Sequence, residues 1–89
     1  MRTKINVTQK HIDEGKKGEC ATCPVALAFK ETMHTNVMVG ISRTTYSKTS
    51  VKNSVGVIKY IRNYDTDKVT LPCTLILTDD TLSMEGETL

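Results

Sequence analysis

The chain has no tryptophan, one phenylalanine and three tyrosines. A core built on stacked aromatic rings is thereby excluded, and Val, Ile, Leu, Ala and Met must fill the interior instead. A core of that kind in 89 residues gains little, so stability is expected to be modest unless a metal or a partner chain adds to it; no cofactor is expected, zinc being the one candidate. No apolar run approaches the ~18 residues of a membrane span. Met1 to Lys10 mixes charges and polar groups where a secretory leader needs an apolar segment. The expectation is a cytoplasmic protein with no membrane partner. The three cysteines are an odd number, so Cys20, Cys23 and Cys73 are read as reduced and not as a disulfide framework. Also missing are a GxSxG elbow, a P-loop, an HExxH helix and a carboxylate pair flanking a histidine. Without any of these the chain is read as leaning away from catalysis.

One absence is local. No Asp or Glu occurs from Thr32 to Tyr64, although Arg43, Lys48, Lys52, Lys59 and Arg62 all fall there. Residues 1–62 carry eleven Lys/Arg against four Asp/Glu, and residues 63–89 carry one against six. The net charge of +2 thus hides a basic body and an acidic end. Arg43, Tyr46, Lys48, Lys52, Lys59 and Arg62 are the expected binding surface, for an anionic ligand or an acidic protein. Basic residues interleaved with Tyr46 and Tyr60 also fit a nucleic-acid surface, but no RNP, GXXG or helix-turn-helix pattern accompanies them.

With 38% hydrophobic and 25% charged residues the chain is expected to fold, as one domain over 1–89 with a loose acidic tail over 79–89. Ile5 and Val7 alternate with polar neighbours as in a strand. Thr8 can cap a short helix over Gln9–Glu14, closed by Gly15 in a left-handed conformation. Cys23-Pro24 opens the clearest helix, which runs to about Met33 because Pro suits the first helical position. Val37, Val39 and Ile41 alternate again. The Ser, Thr and Lys of 42–54 predict a loop or a twisted edge ribbon. A further helix is expected from about Val51 or Ser54 to Tyr64, then a strand over Cys73–Leu77 and a short one around Leu82 and Met84. The reading is an α+β fold of type β-α-β-α-β. Its sheet has three or four strands, two helices cover one face, and the other face is left bare for a partner or for homo-oligomerisation.

Cys20-Ala-Thr-Cys23 is the most chemical element. Two thiols three positions apart can share a metal or form a reversible disulfide. A zinc site takes His11, Cys20 and Cys23, with the Gly15–Gly18 loop bringing the histidine close; the bland alternative has Cys23 capping a helix and His11 as an ordinary polar residue. A dithiol oxidoreductase of thioredoxin- or glutaredoxin-like type would use the same pair with Pro72 ahead of a later strand.

His11-Ile12, Gly15, Gly18, Cys20 and Cys23-Pro24-Val25-Ala26-Leu27-Ala28, with Ile61-Arg62-Asn63-Tyr64-Asp65 further on, resemble a group of small uncharacterised bacteriophage and prophage proteins. The likeness extends to about Leu77. It implies a viral accessory protein that acts by binding, inhibiting a host enzyme or defence system or sequestering a ligand in the host cytoplasm.

Overall fold

In β1 (Thr3–Val7), Ile5 and Val7 face the interior and Lys4 and Asn6 face solvent, the alternation a half-buried strand requires. Thr8 caps α1 (Gln9–Glu14) through a reciprocal pair of bonds: the His11 N–H donates to Thr8 Oγ1, and the Thr8 N–H donates to His11 Nδ1 at 3.0 Å. Gly15 ends α1 at φ −69°, so the left-handed stop expected there is not used. Glycine is needed for space instead, since a Cβ would lie 2.7 Å from Pro24 Cδ. α2 (Pro24–Met33) starts on its proline with Cys23 as cap and ends at His34, whose φ of 54° is left-handed.

After β2 (Val37–Val39), the Ser/Thr-rich segment forms β3 (Arg43–Tyr46) and β4 (Thr49–Asn53), joined by Ser47-Lys48. Both turn residues have positive φ, 44° and 62°, the two-residue type I′ geometry whose twist matches paired strands. Of the loop and the twisted edge ribbon expected here, the ribbon forms, one strand in from the edge, and Val51 lies in it, so α3 (Val55–Asp65) begins only after its cap Ser54. β5 (Cys73–Leu77) and β6 (Thr81–Met84) complete the chain order. The structure, a computed structural model, describes residues 2–87. The acidic stretch from Asp79 supplies β6, while Thr88 and Leu89, the end of the expected loose tail, lie outside the described residues.

The fold is α+β, with six strands instead of three or four and three helices instead of two among the described residues. Strand order is β1-β5-β6-β4-β3-β2; β4 and β6 run parallel and every other neighbouring pair runs antiparallel. α2 packs against β1 and also against β2, the two outer strands, so the sheet is curled around it; α3 covers β4 and β6. Phe29, Ile5, Val51, Leu75, Leu77 and Leu82 are fully buried between sheet and helices. Among the described residues no helix is long and apolar enough to cross a membrane.

Two polar clasps set the geometry around the candidate surfaces. Asn53 is buried and its Nδ2 donates to the carbonyls of Gly40 at 2.8 Å and Ile41 at 3.2 Å, while its Oδ1 accepts from Thr44 Oγ1 at 2.7 Å. The turn that leads into Arg43 is therefore tied to the end of β4. Glu87 accepts from Ser54 Oγ and the Gly56 N–H, both at 2.7 Å, and from the Met84 N–H at 2.9 Å. Burial pushes the Glu87 carboxyl up, but those donors together hold it below the usual range. A Cβ on Gly56 would stand 2.7 Å from that carboxylate, so a larger residue there would push the Glu87 side chain off its donors.

Candidate functional site

On β1 to β4 the outward residues are exposed and mostly polar: Lys4, Asn6, Arg43, Thr45, Ser50 and Lys52, with Met38 as the apolar exception, whereas Ile76 and Ser83, outward on β5 and β6, are buried. Arg43 and Lys52 lie directly opposite each other on β3 and β4. Lys48 stands at the hairpin tip. Lys4 pairs with Glu85 at 2.9 Å and Lys17 with Asp67, but among the described residues Arg43, Lys48 and Lys52 meet no carboxylate. The Arg43 guanidinium is oriented by Ser50 instead, Nε donating to Ser50 Oγ at 2.8 Å.

Lys59 and Arg62 are exposed on α3, which lies on the other side of the sheet, so the six expected surface residues do not form one patch. Tyr46 shares the inward parity of Thr44; it is half-buried with its ring centroid 4.8 Å from that of Phe29. The hydroxyls of Tyr60 and Tyr64 donate to the carbonyls of Leu71 and Ile12, at 2.8 and 3.2 Å. Those three rings are packing and tethering groups, and the outer basic face carries hydroxyls in place of aromatics.

The second feature is a cleft of about 300 Å³ lined by Cys20, Cys23, Val39, Ile41, Ile61 and Asp65. Cys20 is exposed and Cys23 is buried, and both are free thiols. The Cys23 Sγ accepts from the Ala26 N–H at 3.4 Å. Burial pushes the Cys23 thiol up despite the helix N–H groups beside it. An oxidoreductase of the thioredoxin kind needs the opposite, a thiolate stabilised at the helix start. Pro72 lines a separate depression with Asn6 to Gln9 and Cys73, away from Cys20 and Cys23. Asp65 holds the cleft closed on one side by accepting from the Gly18 N–H at 3.0 Å.

His11 is 4% exposed, and both ring nitrogens are occupied. Nδ1 accepts the Thr8 N–H, so the neutral ring carries its proton on Nε2, which donates to Glu31 Oε2 at 2.9 Å. That bond holds Glu31 below the ordinary carboxylate range. Among the described residues no three His, Cys, Asp or Glu side chains come together as a metal would need, so His11 is not assembled with Cys20 and Cys23. His11→Ala is expected to lower the unfolding free energy by about 1–2 kcal/mol through loss of the cap and its packing, with the wild type melting identically with and without EDTA. Chelator-dependent melting, matched by equal losses in Cys20→Ser and Cys23→Ser, would select the zinc reading instead.

Asn53 and Glu87 carry no signal in the sequence, and Asp65 shows nothing there of its bond to Gly18, because each acts through a partner dozens of positions away or on another strand. Only the Thr8-x-x-His11 spacing carried a local signal, that of a capping box with histidine in the place of Glu or Gln. Comparison of the chain with protein-family models, with curated proteins and with solved structures finds no match.

Proposed function

We propose that the protein is a non-enzymatic binding module whose working surface is the outer face of β3 and β4, and that its partner presents a row of oxyanions. The observation that carries this reading is the pair Arg43 and Lys52, directly opposite across the ladder and, among the described residues, in no ion pair with a carboxylate. Like charges at directly opposed positions destabilise a sheet, so the pair costs stability until an anion lies across it. Arg43 offers a planar fork for carboxylate or phosphate, and Thr45 and Ser50 on the same face offer hydroxyl donors. The viral accessory role, with a host protein as target, is the biological form of this proposal. Without aromatics on this face, contacts to a nucleic acid would run to its phosphates and not to its bases.

The test is fluorescence anisotropy with two labelled probes, a single-stranded oligonucleotide and a glutamate-rich peptide. Arg43→Glu with Lys52→Glu is expected to weaken binding at least tenfold, while Lys59→Glu with Arg62→Glu changes it little. If the oligonucleotide is the ligand, losing two phosphate contacts lowers the slope of log K against log salt by roughly 1.4. Equal weakening by both double variants, or no binding of either probe, would sink the assignment of this face.

A further inference from the structure

We propose that Cys20 is a site of S-thiolation by low-molecular-weight disulfides, that Cys23 is its resolving thiol, and that the disulfide between them uncaps α2. The pair stands on its own geometry, independent of the basic face. The Cys23 N–H donates to the Glu19 carbonyl at 3.1 Å, and Thr22 Oγ1 donates to Glu19 Oε2 at 3.0 Å, so residues 19–23 make one closed helical turn. Positions three apart in such a turn have Cα atoms about 5 Å apart. That lies inside the roughly 4.4–6.8 Å span that a disulfide bridges.

Accessibility orders the chemistry. Cys20 is exposed at the cleft mouth, whereas Cys23 is 5% exposed and belongs to the core cluster. An incoming disulfide RSSR therefore meets Cys20 first. The Cys20 thiolate forms a bond to one sulfur of RSSR, the S–S bond breaks, and RS⁻ leaves and takes the proton that Cys20 released. Cys23, deprotonated in turn, attacks the Cys20 sulfur of the mixed disulfide and expels the second RS⁻, which takes the second proton. Two thiols are oxidised to one disulfide, and RSSR is reduced to two RSH. Cys73 takes no part: it lies at the start of β5 opposite Val7 and does not line the cleft.

The structural consequence follows from the cap. Cys23 Sγ is the acceptor for the Ala26 N–H, and a sulfur turned toward Cys20 gives up that position. The same turn holds the sheet edge, because the Val39 N–H donates to the Cys20 carbonyl at 2.9 Å. A buried thiol that is reluctant to ionise is also a slow leaving group, so the closed disulfide persists instead of turning over. The arrangement suits a long-lived switch better than a catalytic reductase.

Oxidised glutathione added to the folded protein, followed by peptide mass mapping and amide hydrogen exchange, tests this. The wild type is expected to lose two hydrogens between Cys20 and Cys23 with no retained adduct. Cys23→Ser should hold a single glutathione on Cys20, and Cys20→Ser should leave Cys23 unmodified. On oxidation the Ala26 amide should exchange about fivefold faster, matching loss of one cap, with Phe29 unchanged and dithiothreitol restoring both. Modification of Cys23 in Cys20→Ser, a lasting adduct on wild-type Cys20, or an unchanged Ala26 amide overturns the proposal.

Discussion

Phe29→Ala is expected to abolish cooperative unfolding at room temperature. Phe29 is the largest fully buried side chain, on the helix that bridges the two outer strands, and it meets Tyr46 of β3 ring to ring. Removing a buried phenylalanine ring costs about 3–5 kcal/mol, the transfer of the lost atoms plus the cavity left behind. A domain of 89 residues, at roughly 0.05–0.15 kcal/mol per residue, has about 4–13 kcal/mol in all. The low end is the relevant one here, because a single phenylalanine carries much of the aromatic content of the core. Phe29→Leu, which keeps most of the volume, should retain a sigmoidal urea transition with a loss of about 1.5 kcal/mol. The measurement is tyrosine fluorescence and far-ultraviolet circular dichroism across urea. A Phe29→Ala protein within about 1 kcal/mol of wild type would mean that the curl of the sheet does not depend on this ring.

The second large effect is expected at Asn53. Its side chain satisfies the Gly40 and Ile41 carbonyls and the Thr44 hydroxyl from a site that is 1% exposed. Asn53→Ala leaves these groups without their partner where water has poor access, for a loss of about 2–4 kcal/mol. Asn53→Leu should be no better, because bulk without donors leaves the same carbonyls bare. Thr44→Val combined with Asn53→Ala should cost less than the two single changes added, since one bond is lost in both. Beyond stability, the Gly40 N–H, which donates to the Arg43 carbonyl at 2.8 Å, should exchange faster in Asn53→Ala. A loss below about 0.5 kcal/mol, as at an ordinary surface position, would show that water replaces the amide at no cost.

The same residue explains where the fold was legible in sequence and where it was not. Pro24 behind a cap, the alternation of Ile5 and Val7, and Cys73–Leu77 ahead of a second short strand were read correctly because each signal is local. β3 and β4 are legible only as a choice between loop and ribbon, because Thr44 and Asn53 occupy inward positions where an apolar residue would complete the pattern. Ser47-Lys48 also lacks the Asn or Gly that marks a type I′ turn. At the candidate surface, the charges were found and their arrangement was not. Tyr46 reads as a base-stacking residue among Arg43 and Lys48 until strand parity turns it inward, and Lys59 and Arg62 read as one patch with Lys52 until α3 is seen to lie across the sheet.

Sheet order has a consequence for how the chain reaches this state. β6, the last strand to be synthesised among the described residues, occupies the middle of the sheet between β5 and β4, and β1 waits for β5, with Thr3 opposite Leu77. Three strands, β2 to β4, can pair as successive hairpins during elongation, but they have no neighbour on their β4 side until Thr81 emerges. Closure by such distant pairings is entropically slow, in the range of milliseconds to seconds. Until then β4 presents an open edge on the nascent chain. The positive charge of Lys52 on that strand therefore guards against premature pairing with other chains, whatever it does on the finished surface.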